Sequence, residues 1–175
     1  LEFRGQTLLR GAAENALTSG CCEKICVVLG AKFEILRKEV SDLEIEIAVN
    51  KNWRRGMSSS LKCGLEKLLA SEPNLSAVVV TLADQPVVEA RIIRRLVQTF
   101  HETDKKIVAA EYAGTVGVPA VFARSLFEEI LNLTATGGAK RIIKKYACSV
   151  EKISVPEAAF DIDTPEDFER LAKES

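Results

Sequence analysis

The chain has 175 residues, 47% of them apolar and 28% charged, with a net charge of −1 and a pI near 6.0. That length favours one domain over residues 1–175 with a sizeable core, and that balance describes a soluble globular protein. It argues against a nucleic-acid backbone or an anionic membrane as partner; no apolar run nears the ~20 residues that span a bilayer, and LEFRGQTLLRG lacks a signal peptide's layout.

Thr7 is placed to cap a helix in which Leu8, Leu9, Ala12, Ala13, Ala16 and Leu17 recur at helical spacing, and Gly20 stops it. KICVVLG (24–30) reads as a short buried strand, AKFEILRKEV (31–40) as a helix and EIEIAV (44–49) as an alternating strand. SSSLKCGLEKLLA opens with three candidate caps and sets Leu61, Leu65, Leu68 and Leu69 on one helical face. SAVVVTLA is the most buried-looking strand, and Ile92, Ile93, Leu96, Val97 and Phe100 mark the next helix. KIVAAEYA and VPAVFA adjoin through a GTVG turn, the one place where two strands meet without a helix. Short helices around 126–131 and 139–147, a strand SVEKISV and a capped helix in DIDTPEDFERLA complete the chain. Strands alternating with helices imply an α/β fold, doubly wound around a largely parallel sheet.

Cys21, Cys22, Cys26, Cys63 and Cys148 form no C-x-x-C pair, and His101 is the sole histidine. A zinc site and a disulfide framework are therefore disfavoured, and free thiols in a reducing cytosol are expected. There is no P-loop, no G-x-G-x-x-G, no H-E-x-x-H and no G-x-S-x-G elbow. His101, at a helix end, is read as a surface residue.

Three segments are left to carry chemistry. In such sheets ligands bind at the carboxyl ends of strands, which is where TLADQP falls, with Asp84 at the end of its strand and Pro86 fixing the backbone behind it. An ordinary turn-forming Asp accounts for Asp84 about as well. In DIDTPED, a cap, a first-turn proline and first-turn acids explain residues 164–167, but Asp161 and Asp163 remain. They flank one Ile on an extended segment and share a face, so with Asp84 they can converge on a hard cation such as Mg2+ that holds phosphate oxygens. NKNWRRGMSSSLKCG (50–64) opens a helix whose free N–H groups attract anions, with Arg54 and Arg55 beside it. A capped helix with a solvated basic turn explains it equally, and Trp53 can simply be core.

FRGQTLLRGA, VVLGA, NKNWRRGMSSSLKCGL, LADQP, YAGTVGVPAVF and DIDTPEDFERL, in that order, resemble the nucleotidyltransferases that build dinucleotide forms of the molybdenum cofactor, its cytidylyltransferases above all. The resemblance covers nearly the whole chain. It implies a nucleotide-diphospho-sugar-transferase type of fold, CTP as nucleotide, molybdopterin or molybdenum cofactor as acceptor, a molybdoenzyme as recipient, and a cytoplasmic location. It further implies that Asp84 and Asp163 are catalytic metal ligands, with Asp161 a weaker candidate. Gly56, Met57, Ser58 and Ser59 then approach the nucleotide, Gln85 and Pro86 shape the metal turn, and Gly117 and Pro119 lie near the acceptor. Guanylyl transfer, transfer to sugar or alcohol phosphates, a non-catalytic cofactor-delivery module and a flavodoxin-like regulator are the alternatives.

The sequence departs from the family twice. The family begins with a strand and a Gly-rich, Arg-containing loop that would precede Leu1, and the strand is central to its sheet; without it a gap in the core is expected. Residues 135–139 read ATGGA where the family often has G-D-x-G-A, so Thr136 stands in place of an acid.

Overall fold

The computed structural model describes residues 2–134, 137–160 and 162. Its first elements are a two-residue-per-strand hairpin, β1 (Glu2–Phe3) and β2 (Gln6–Thr7), which the sequence pattern did not announce. Thr7 then caps α1 (Leu8–Ser19) by accepting the Arg10 N–H, and Gly20 closes it in the left-handed conformation. β3 (Cys26–Leu29) follows, then α2 (Phe33–Leu36), which tightens into a 3-10 turn over Arg37–Val40 instead of running as one helix. β4 (Glu46–Val49) lies parallel to β3. α3 (Met57–Ser71) leads to β5 (Ala77–Val80), and α4 (Ala90–Glu102) to the long hairpin of β6 (Ile107–Tyr112) and β7 (Thr115–Ala123). α5 (Phe127–Leu131), α6 (Gly138–Lys145) and β8 (Val150–Ser154) complete the described elements. The C-terminal helix expected in DIDTPEDFERLA lies outside the described residues. Among those described, no helix is long and apolar enough to cross a membrane.

The hairpin turns at Ala113 and Gly114, both at positive φ (46° and 71°), the backbone that right-twisted strands demand of a two-residue turn. The expected GTVG turn is thus displaced: Thr115, Val116 and Gly117 already belong to β7 and pair with Tyr112, Glu111 and Ala110. The register then jumps from Gly117 to Ala120, and the cis Val118–Pro119 peptide occupies the bulge.

Helices cover both faces of the sheet, as a doubly wound fold requires. Ile107 and Ala109 of β6 point towards α3, α5 and α6, in a core with Leu65, Phe122, Ile130 and Ile142. Val108 and Ala110 point the other way, towards Ile92 and Leu96 of α4. That is the period-two alternation of a strand buried on both faces. Leu96, Ile107 and Ile130 are fully buried, each contributing roughly 1.5–3 kcal/mol of apolar burial.

The strands run mostly one way, with β7 antiparallel to its neighbours in the order β5-β7-β6-β8 and β3 parallel to β4. The expected gap is present. β3-β4 and β5-β7-β6-β8 are separate sheets, and between the free edges of β3 and β5 lies a cavity of about 470 Å³. SAVVVTLA is accordingly less enclosed than its composition suggests: Ala77, Val79 and Val80 are half-buried, because one edge of the strand opens on this cavity. α1 lies along the same opening, so Leu9, Ala12 and Ala16 line the cavity and stay half-buried.

Candidate functional site

The carboxyl ends of β4 and β5 meet the starts of α3 and α6 at one end of this cavity. After β4 the chain enters Asn50, which is 4% exposed and organises the whole turn. Its Nδ2 donates to Ser59 Oγ (2.8 Å) and Ser60 Oγ (3.0 Å), while its Oδ1 accepts the Asn52 N–H (2.9 Å). Ser59 Oγ also lies 2.8 Å from the Gly56 carbonyl and 3.0 Å from that of Asn52, both acceptors for its hydroxyl. Gly56, at φ 92°, makes the bend into α3 that a side chain would strain. Trp53 lies against Gly30 so closely that a Cβ there would come within 2.7 Å of its own Cβ, and the Arg54 guanidinium stacks over the indole at 4.5 Å. Trp53 is 37% exposed, so it is a lid on the β3 loop and not core.

The N-terminus of α3 is docked onto that of α6. Ser58, buried, accepts the Gly138 N–H at 3.1 Å, and a Cβ on Gly138 would sit 3.2 Å from Met57. Two helix starts therefore bring their free N–H groups and positive dipole ends to one place, which favours an anion.

Beyond β5, which ends at Val80, residues 81–83 separate the strand from Asp84, so the carboxylate sits in a turn and not at the last strand position. Gln85 anchors this turn from the inside. It is 2% exposed, its Nε2 donates to the Ala158 carbonyl (3.0 Å), and its Oε1 meets no donor among the described residues. The Ile162 N–H donates to the Asp84 carbonyl at 2.8 Å. That bond ties the DID segment to the LADQP turn; Asp161 and Asp163 themselves lie outside the described residues.

The residues singled out by sequence divide as follows. Met57, Gln85 and Gly117 line the 470 Å³ cavity. Ser58 and Ser59 are held in internal hydrogen bonds at its rim, and Pro119 is buried in the β7 bulge. Pro86 faces a second cavity, between α1 and α4, lined also by Arg91 and Arg94. Sequence reading missed Asn50, whose role depends on burial and on two serines nine and ten residues away. It also missed the Gly137–Gly138 turn, legible only as a glycine pair ahead of an apolar helix face.

A divalent cation fits the donor chemistry here, since carboxylate oxygens are the ligands hard cations take. Among the described residues no three His, Cys, Asp or Glu side chains cluster in a way that could hold a metal ion. Two of the thiols are poor ligands: burial foremost, then Glu46 and Cys63, pushes Cys26 up to about 11, and burial with Cys21 does the same to Cys22.

The MobA-like NTP transferase domain model matches residues 1–150. The nicotine blue oxidoreductase of Paenarthrobacter nicotinovorans is 28% identical over 98% of this chain and 85% of its own length. Rv0371c of Mycobacterium tuberculosis superposes with a TM-score of 0.82 at 25% identity, covering 99% of this chain and 87% of that one; a second structure of it is a manganese complex, with a TM-score of 0.77 at 24% identity over 100% and 90% of the two chains. A Methanothermobacter nucleotidyl transferase shares the fold at a TM-score of 0.81 with 18% identity, over 99% and 82% of the two chains. The chain belongs to the MobA-like NTP transferase domain family.

Proposed function

We propose that the protein transfers CMP from CTP to the phosphate of molybdopterin or molybdenum cofactor, releasing pyrophosphate, in the cytoplasm and for a recipient molybdoenzyme. The observation that carries the reading is the Ile162–Asp84 backbone bond at the carboxyl end of the sheet. It ties Ile162, which stands between Asp161 and Asp163 in the sequence, to the Asp84 turn, in a family of NTP transferases. Asp84 and Asp163, with Asp161 beside them, would hold Mg2+ or Mn2+, which when bound supplies positive charge to the nucleotide's phosphate oxygens; the manganese complex of Rv0371c supports the choice of ion.

The rest is positioning by the chain itself. The starts of α3 and α6 offer N–H groups to phosphate oxygens, Met57 and Gly117 border the nucleotide, and Gly56, Ser58 and Ser59 fix the α3 entry. Gln85 and Pro86 hold the Asp84 turn, and the bulge at Pro119 shapes the acceptor side. An acceptor phosphate oxygen attacks the α-phosphorus as the bond to the pyrophosphate oxygen breaks, a reaction governed by alignment and charge neutralisation. The test is the thermal midpoint with CTP, GTP and ATP, each with Mg2+, Mn2+ or neither. A ligand that binds only the folded state must raise it. A metal-dependent rise largest with CTP and lost in Asp84→Ala supports the reading; a preference for GTP moves it to guanylyl transfer, and no rise with any nucleotide refutes it.

A second reading is favoured by the 28% identical relative, which is named an oxidoreductase. It predicts no rise of the midpoint with any nucleoside triphosphate, and a redox activity in place of pyrophosphate release.

A further inference from the structure

The loops that leave β3 and β4 lie side by side, because the two strands are parallel neighbours whose last residues, Leu29 and Val49, are paired. The contact between Gly30 and Trp53 holds them together. Residues 50–57 carry three cations, Lys51, Arg54 and Arg55, and no acid, and the loop after β3 adds Lys32. All four cations are exposed, and none forms an ion pair among the described residues. Elsewhere on the surface Arg10 and Arg91 are paired with Asp42 and Glu157. The same stretch exposes two large apolar side chains, Trp53 at 37% and Met57 at 57%. Arg54 is held on the indole, 4.5 Å from its centre, with no acceptor among the described residues for the N–H edge of its guanidinium.

We propose that this patch is a docking surface for an acidic segment of a partner protein, one that brings an apolar side chain to Trp53 and carboxylates to the cations beside it. Trp, Arg and Met are residues enriched at protein interfaces. A cation with no partner of its own gains one on docking and breaks none, so charge complementarity selects the acidic class. A small ligand is disfavoured. Such ligands take concave sites, and Trp53 and the four cations line neither of the two cavities described above. A nucleic acid is disfavoured too, because the four cations sit on a chain of net charge −1 and a duplex presents far more phosphate than they can neutralise. The inference rests on the two loops and stands whether or not the nucleotide reading does.

Trp53 is the only tryptophan in the chain, so its emission reports on the patch directly. The probe is the acetylated peptide Glu-Asp-Leu-Glu-Glu-Phe-Asp-Glu, titrated into the 175-residue chain. Docking should shift the emission to the blue as the indole is covered, and the affinity should fall at least about fivefold between about 50 and about 300 mM NaCl. Arg54→Ala/Arg55→Ala should weaken binding by at least about tenfold. Lys32→Ala/Lys51→Ala leaves the Trp53 stack in place and should weaken it too, which keeps the test decisive if the first pair disturbs the loop. Lys105→Ala/Lys106→Ala, which removes two exposed cations ahead of β6, should change nothing. The proposal fails if the peptide leaves the emission unmoved at the lower salt, or if a peptide with Lys for every acid binds as well. It fails if the two patch pairs matter no more than the Lys105 pair. It fails too if CTP or pyrophosphate gives the same shift and competes with the peptide, which assigns the patch to a small anion. Displacement of the peptide by a short DNA duplex at equal concentration would also overturn it, in favour of nucleic acid.

Discussion

Asn50→Ala should destabilise the protein through a loop that carries no large apolar side chain of its own core. Three hydrogen bonds end on this buried amide, to Ser59, Ser60 and Asn52. At a net ~0.5–1.5 kcal/mol each, their sum is about 1.5–4.5 kcal/mol. Ser59 keeps its backbone acceptors and the exposed Asn52 N–H returns to water, so the expected loss falls in the lower half, about 1.5–3 kcal/mol. For a chain of this size that is a fall in thermal midpoint of roughly 3–12 °C. The same loop carries Trp53 and opens α3, so nucleotide affinity should fall as well. Urea unfolding monitored by the single tryptophan gives both midpoint and slope. A stability change below about 0.5 kcal/mol would refute the claim that Asn50 organises this turn, because surface polar substitutions do no more than that.

Gly30→Ala should cost about 1–3 kcal/mol by forcing Trp53 off β3, read as a red-shifted tryptophan emission together with a lower midpoint. The thermal midpoint should hold down to about pH 5 and fall towards about pH 2. Hydrogen bonds from Arg10 hold Asp42 down near 2; Glu46, held by Ser71 and Lys67, Glu129, held by Lys145 and Tyr146, and Glu157, held by its own backbone N–H and Arg91, also sit below the usual range. Depressed carboxylates stabilise above their unfolded values and lose that contribution as pH falls through the folded ones, so a midpoint flat across this window would contradict the pairing. Cys26, pushed up to about 11 chiefly by burial, should resist iodoacetamide at pH 8 while exposed Cys148 reacts, as peptide mapping would show.

Much of the fold was legible because periodicity is a local property. Thr7, Gly20 and the leucines of α3 announced their helices, and the doubly wound order followed from strands alternating with helices. The turn at Ala113–Gly114 was misplaced because GTVG carries two glycines, and the second, Gly117, serves a bulge. β5 was read as the most buried-looking strand, yet three of its four residues are half-buried, since composition reports what a strand is suited to and not how it is enclosed. Within the site, LADQP and the serines of α3 could be found as motifs. Asn50 could not, because an Asn after a strand is ordinary until its burial and its two serine partners are known. Nor could the Gly138–Ser58 contact, which joins residues 80 positions apart.

The central claim is that Asp84 serves nucleotidyl transfer, and pyrophosphate release tests it most directly. The assay uses CTP, Mg2+ and molybdopterin, with the native chain beside Asp84→Asn, an exchange that keeps the side chain's shape and removes its charge. The account predicts release that needs the acceptor and falls by about 10²–10³ in the variant, at an unchanged thermal midpoint. Release by Asp84→Asn within a few-fold of the native rate would contradict it.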